Sequence, residues 1–215
     1  MLEKDGIVYE ILQSKDLAST IECLATVFPG SEPLTHCLGI NKEYYYPVAE
    51  IVCYKAVEDG LSHIAKDAQT GEVVGFRISE DLHTIEDKSY QDKFNEFEKF
   101  RPISALVESL QKEYLQDKVL SKGQILYHSL LGVDPRYQNR KIPKYLYDEN
   151  IDHAKNKNFS KIITEATGIV SQRLCSRFGF KEILSINYQD YEYQGVKVFA
   201  NITRHKKSML MEKLL

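Results

Sequence analysis

Leu131-Gly132-Val133-Asp134-Pro135-Arg136-Tyr137-Gln138-Asn139-Arg140-Lys141-Ile142-Pro143 carries an apolar strand through a basic loop into the first turn of a helix. The strand is predicted from Gly123 to Val133 (G-Q-I-L-Y-H-S-L-L-G-V), the most strand-like run in the chain. The helix is predicted from Pro143 to about Asn156, with Leu146, Ile151 and Ala154 toward the core. A helix opening there offers free N–H groups and the positive end of its dipole, which suits a phosphate ligand. Arg136, Arg140, Lys141 and Lys144 add positive charge to the same loop. Charge alone would equally describe a solvated loop.

Downstream, Lys161 to Ala166 reads as a strand, Val170 to Phe178 as a short helix and Phe180 to Ile186 as a strand. Val196, Val198, Ala200 and Ile202 alternate, which predicts a last strand folded back across Gln194-Gly195. Met209 to Leu215 yields no reading. Upstream, Gly6 to Gln13 reads as the first strand, with Ser14 as a cap for a helix carrying Leu17, Ile21, Leu24 and Phe28. Pro29-Gly30 is expected to stop that helix. A second helix is expected after Asn41. Leu61 to Lys66 and Glu72 to Ser79 read as a hairpin about Asp67-Ala68-Gln69-Thr70-Gly71. Residues 81–122 read as a helical insertion between the third and fourth strands, with stripes at Tyr90, Phe94, Phe97 and at Ile103, Leu106, Val107, Leu110, Tyr114. The order predicts an α/β fold with a mixed sheet and a parallel pair at its heart, in one domain over 1–215.

Net charge is -3, which argues against binding of nucleic acid or an anionic membrane surface. Glu80, Asp81, Glu86, Asp87, Asp92, Glu96 and Glu98 are expected to make the start of the insertion an acidic surface. The four cysteines are scattered, without metal-ligand spacing, and read as reduced thiols; no metal is expected. The charged start Met1-Leu2-Glu3-Lys4-Asp5 lacks the apolar run of a signal peptide, and no stretch is apolar enough to span a bilayer, so a cytoplasmic protein is expected.

Val133-Asp134-Pro135 followed by Gln138 and the helix start resembles motif A of the GNAT acetyltransferases, V-x-P-x-x-[QR]-x-x-G-x-[GA]. Ser171 to Phe180 (S-Q-R-L-C-S-R-F-G-F) resembles that family's next helix with its G-F ending. Phe28-Pro29-Gly30-Ser31-Glu32-Pro33-Leu34 resembles the F-x-x-x-E-P-L stretch of the insect-type arylalkylamine N-acetyltransferases. The resemblance implies a GNAT fold, acetyl-CoA as co-substrate and a small primary amine as acceptor. It places the donor among Leu131, Val133, Gln138, Asn139, Arg140, Lys141, Ile142 and Lys144, with strand N–H groups meeting the thioester carbonyl.

Two positions depart from the pattern. Lys141 stands where the family has Gly, and Pro143, which carries no N–H, stands at its Gly or Ala position. Either charge at Lys141 and Arg140 replaces a lost backbone contact, or the site binds CoA weakly; retained binding is preferred. By the resemblance Glu32 is the candidate general base, acting through water, against the alternative of a surface glutamate. Ser171 matches a serine near the CoA sulfur, where it would serve proton transfer to the thiolate; it also reads as a helix cap. His128 reads as a hydrogen-bonded structural histidine, and Tyr44-Tyr45-Tyr46 as an aromatic wall of the acceptor pocket. The alternative from another class is a non-catalytic acyl-CoA-binding or partner-binding module. The amine and the oligomeric state are left open.

Overall fold

The computed structural model describes residues 2–85, 90, 92–94 and 96–215. Strands β1 (Leu2–Lys4) and β2 (Ile7–Ile11) form a hairpin about Asp5-Gly6, both at positive φ. The strand predicted over Gly6 to Gln13 is β2, and β1 ahead of it was not expected: Gly6 turns, and the D-G pair is the signal of a two-residue hairpin. Helix α1 (Leu17–Ser31) continues through Pro29 and Gly30 instead of stopping there. Ser31 Oγ donates to Val27 O at 2.8 Å and Glu32 N to Phe28 O at 3.0 Å, which holds the last turn together around the missing proline N–H. Ser14 caps nothing; it starts a 3-10 turn, Ser14–Asp16, ahead of α1.

Helix α2 (Pro33–Cys37) is short. Helix α3 (Lys42–Asp59) starts at Asn41, whose Oδ1 accepts from Tyr44 N at 3.0 Å, and ends at Gly60 in the left-handed region. Strands β3 (His63–Asp67) and β4 (Val73–Asp81) form the expected hairpin. Helices α4 (Leu82–Ile85) and α5 (Arg101–Leu115) precede β5 (Ile125–Val133). The predicted alternation then follows: α6 (Ile142–Asn156), β6 (Lys161–Ala166), α7 (Ile169–Arg177) and β7 (Lys181–Asn187).

The chain closes with β8 (Lys207–Leu214), where no strand was expected. The predicted last strand is absent. Residues 196–202 form turns, with one isolated bridge between Tyr193 and Val196, and Val196 is 59% exposed. Phe199 and Ile202, three apart, plug the core from a turn, so they do not alternate along a strand. β8 lies between β6 and β7 and buries both Leu210 and Met211, so it shows no in–out alternation to read.

The sheet order is β1-β2-β3-β4-β5-β6-β8-β7, antiparallel throughout except for the parallel β5–β6 pair. That pair is short: Ile125–Tyr127 against Lys161–Ile163, after which the two strands part from each other while β5 stays paired with β4 and β6 with β8. At the same level the β4–β5 register shifts, Ile78 facing Leu130 and Ser79 facing His128, so Ser129 is the extra residue of a bulge. A large core lies between the sheet and α1, α3 and α5; two smaller ones lie under α6 and α7. Glu80 and Asp81 are buried at the end of β4 and form no acidic surface, and Asp81 Oδ2 accepts from Gly123 N at 2.7 Å. Glu86 and Asp87 lie outside the described residues. No described helix is long and apolar enough to cross a membrane.

Candidate active site

Where β5 and β6 part, a cavity of about 550 Å³ takes its walls from both faces of the sheet. On the α6–α7 face it is bordered by Leu131, Val133, Gln138, Pro143, Ser171 and Cys175; on the α5 face by Glu80, Tyr90, Gln111, Tyr127 and Glu165. Glu32 also borders it. The edge of β5 beyond Tyr127 has no strand partner on the β6 side, which leaves backbone donors facing the gap.

The loop before α6 turns sharply into the helix with Lys141 and Pro143 in place. Asn139 and Lys141 adopt left-handed φ values of 66° and 58°, conformations that glycine takes more easily. The N–H groups of Asn139, Arg140, Lys141 and Ile142 make no close, well-aligned backbone hydrogen bond among the described residues. Pro143 occupies the first turn, where its missing N–H costs no helical bond. Two of the four basic residues are committed elsewhere: Arg136 to Asp134 and Glu72, both at 2.7 Å, and Lys144 to Asp148 at 2.5 Å. Arg140 lies 5.0 Å from the Tyr137 ring centre, and neither it nor Lys141 pairs with a carboxylate among the described residues. Asn139, Arg140, Lys141 and Lys144 stay outside the cavity wall. Ile142 is buried with Ile7, Tyr9 and Leu146; it anchors the helix start from the core.

Deeper on this face stands Arg77, 2% exposed, with its guanidinium carbon 4.6 Å from the centre of the Tyr147 ring. Its Nε and Nη2 reach no acceptor among the described residues, and burial lowers its pKa. Tyr147 OH lies 3.1 Å from Cys175 Sγ. A buried donor pair of this kind costs free energy until an acceptor arrives. Together with the open N–H groups of the loop, it fits the amides and phosphates of a CoA thioester.

Glu32 caps α2: Oε2 accepts from Thr35 N at 2.6 Å, while Oε1 is enclosed without a partner among the described residues, the residue being 9% exposed. Ser171 caps α7, its Oγ donating to Gly168 O at 2.8 Å and accepting from Gly168 N at 3.2 Å. A Cβ on Gly168 would stand 3.5 Å from Pro33 Cγ and 3.7 Å from His205 Cε1. The fold thus brings the Glu32-Pro33 and Gly168–Ser171 segments against each other across 136 residues of chain. Of the predicted tyrosine wall, Tyr45 lines the cavity; Tyr44 turns to Phe97 and Lys99. Consecutive helical residues point about 100° apart, so three in a row cannot share one wall. His128 is structural as expected, its Nε2 donating to Asn150 Oδ1 at 2.7 Å.

Arg77, Glu80, Tyr147 and Glu165 escaped the sequence reading. Arg77 and Glu80 lie in a strand buried along its whole length, and one turn of sequence pattern does not reveal that a strand is covered on both faces. Charged residues within the apolar run V-V-G-F-R-I-S-E were the available signal.

No protein-family model matches the chain. Arylalkylamine N-acetyltransferase 2 from Aedes aegypti is similar over 98% of this chain and 99% of its own, at 26% identity and a TM-score of 0.84. The C-terminal condensation domain of Ebony, in complex with β-alanyl-dopamine, matches over 100% of both chains at 18% identity and a TM-score of 0.83. The Drosophila melanogaster polyamine N-acetyltransferase matches over 97% of this chain and 100% of its own, at 18% identity and a TM-score of 0.75. The latter two speak to the fold alone. With the mixed sheet, the parted β5–β6 pair and the helix-opening loop, these findings give the assignment: the chain has the GNAT acetyltransferase fold and is similar to the insect arylalkylamine N-acetyltransferases.

Proposed function

We propose that this chain transfers an acetyl group from acetyl-CoA to a small primary amine of the arylalkylamine kind. One observation carries the reading: one cavity joins the buried Arg77 guanidinium to the enclosed Glu32 carboxylate, with Gln138 and Pro143 bringing the two ends of the loop before α6 to its wall. The co-substrate supplies a thioester carbonyl as electrophile. The loop from Gln138 to Ile142 would hold its phosphates through backbone N–H groups, with Lys141 and Arg140 adding charge at the rim. Leu131 and Val133 border the cavity, and their strand's free edge would offer N–H groups toward the thioester carbonyl oxygen. Glu32 Oε1, enclosed and unbonded, takes the proton that the ammonium must lose, through a water. Ser171 borders the same cavity, and its hydroxyl would serve proton transfer to the departing sulfur by turning from Gly168 O. The free cysteines fit a reducing compartment, and the cytoplasm is the proposed location. The whole chain, residues 1–215, is read as one catalytic domain.

Calorimetric titration with acetyl-CoA is the first test, with Lys141→Ala beside the native protein. Micromolar binding weakened in the variant supports the donor loop; no binding leaves a fold that serves as a partner-binding scaffold. Thiol release with phenethylamine follows. Glu32→Gln should lower kcat by about 10²-fold. A pH–rate profile identical to the native one would remove Glu32 from the base role.

A further inference from the structure

We infer that Arg77 is the receptor for a carboxylate at the far end of the acyl group, so that the chain also takes ω-carboxyacyl-CoA donors such as succinyl-CoA. The inference rests on the acyl-transfer reading and names a second donor class for it. Along β4, Gly75, Arg77 and Ser79 alternate onto the α6 face. A Cβ on Gly75 would stand 3.1 Å from Ile142, Arg77 lies over Tyr147, and Ser79 bonds to Asn150. Arg77 pairs with Leu131 across the β4–β5 ladder, beyond the point where β5 and β6 part. Leu131 belongs to the stretch read as meeting the thioester carbonyl. One ladder spacing, about 5 Å, separates the two strands, a gap that two or three methylenes span. The guanidinium lies beside Tyr147, whose OH is 3.1 Å from Cys175 Sγ on α7, and all three side chains border the cavity.

The charge of this guanidinium is unmatched. Arg77 is 2% exposed, and no carboxylate oxygen stands within 4.0 Å of its nitrogens among the described residues. The carboxylates of the cavity wall turn elsewhere: Glu32 to Thr35 N, Glu80 to Tyr90 OH, Glu108 to Lys112 and Glu165 to Gln111. Leu82 and Tyr90, which bracket residues 86–89, pack on the α5 face, the other side of the sheet from Arg77. Enclosing a lone charge is costly, and an apolar side chain of similar size avoids that cost. The two open donors, Nε and Nη2, form one edge of the guanidinium. Arg136 grips Asp134 with the same two atoms, Nε at 3.1 Å from Oδ1 and Nη2 at 2.7 Å from Oδ2. That edge matches a carboxylate bidentately. The same fork is filled by a side chain at the surface and left open beside the cavity.

Other parts of the two substrates do not supply this anion. A pantetheine amide would satisfy the two donors and leave the charge unmatched. The phosphates belong at the loop before α6, where Arg140 and Lys141 stand outside the cavity wall. A carboxylate on the amine would meet Glu32 and the other wall carboxylates, which repel it. The tail of the acyl group remains. Tyr147 stacks on Phe178 at 4.4 Å and holds the guanidinium plane, so little order is lost when a carboxylate binds. The transfer itself balances as it does for acetyl. The ammonium gives one proton to Glu32 through water, and its nitrogen bonds to the thioester carbon. The C–S bond breaks, and a second proton from the nitrogen goes to the leaving sulfur. The ω-carboxylate takes no part and departs on the amide product.

The test measures thiol release with phenethylamine from succinyl-CoA and from butyryl-CoA, its uncharged counterpart, against enzyme-free blanks. Succinyl-CoA should exceed butyryl-CoA by about tenfold or more in kcat/KM. Arg77→Met removes the charge at similar volume and should bring that ratio to about one. Arg77→Lys keeps the charge without the fork and should fall between, with melting curves confirming folded variants. Equal kcat/KM for the two donors in the native protein overturns the assignment. So does an equal loss for both in Arg77→Met, which would put Arg77 on the pantetheine arm they share. If no donor supports amine-dependent thiol release, the acyl-transfer reading falls. Calorimetry of two stable thioethers, S-(3-carboxypropyl)-CoA and S-butyl-CoA, then judges Arg77 separately. Tighter binding of the carboxylated compound, lost in Arg77→Met, upholds the assignment; equal binding of the two overturns it.

Discussion

Three neighbouring strands each send adjacent polar residues to opposite faces of the sheet at one level, and the two faces treat them differently. Ser79, His128 and Thr164 go to the α6 face, where Asn150 collects them. Its Oδ1 accepts from Ser79 Oγ at 3.0 Å and His128 Nε2 at 2.7 Å, and its Nδ2 donates to Leu61 O at 2.7 Å and His63 Nδ1 at 2.9 Å. Thr164 Oγ1 donates to His128 O at 2.8 Å. That network is neutral: burial holds His63 down at about 4 and His128 well below its ordinary value, and His128 Nδ1 alone lacks a partner. Glu80, Tyr127 and Glu165 go to the α5 face, where carboxylates border a cavity with one oxygen left open. At equal depth in one sheet, a closed neutral network fixes the packing of α6, while on the other face two carboxyl groups stand against a cavity.

Asn150→Ala should show the largest effect. It strands four partners in the core and should cost about 3 kcal/mol, a fall of roughly 6–12 °C in melting temperature for a chain of this size. An unchanged melting temperature would break the comparison. Next comes pH. Glu80 and Glu165 are raised from 4.5 to about 7 in the folded protein, so their protonated forms stabilise it below about 4.5 and that stability is lost as pH rises through 7. His63 is lowered from 6.5 to about 4, so its contribution is full above 6.5 and is lost as pH falls toward 4. Urea unfolding across pH 4–8 should show the Glu80→Gln, Glu165→Gln double variant losing the alkaline slope and keeping the acid one.

Ser171→Ala should cost about 1 kcal/mol as a lost cap, seen as a lower melting temperature. Turnover measured on the same sample sharpens its role, since a fall of about 10²-fold would assign the hydroxyl to the departing thiolate. The smallest effect is expected for Lys141→Gly, which relieves the left-handed backbone and stabilises by about 0.5 kcal/mol after glycine's entropy cost. The same variant should bind acetyl-CoA less tightly, because the charge at the loop is gone.

Much of the donor side was legible because its signals are local. The strand–loop–helix from Gly123 to Asn156 and the G-F ending of α7 each follow from a dozen consecutive residues. Glu32 and Ser171 came from motif resemblance, whereas the nearness of their two segments at Gly168 could be read from neither motif. Arg77 and Glu165 were invisible for another reason. Nothing near them in sequence says that the first meets Tyr147, 70 residues on, or that the second lies beneath Gln111.

The sequence by itself determined the alternation of strands and helices from Gly123 to Asn187, the parallel pair within it, and the helix-opening loop, since periodicity and turn chemistry act over a few residues. The tertiary structure alone decided that Lys207–Leu214 inserts between β6 and β7, that the turns at 196–202 replace a strand, and that Glu80, Glu165 and Arg77 are walled in. Strand order and burial depend on what packs against each face, and those partners lie 20 to 100 residues away along the chain.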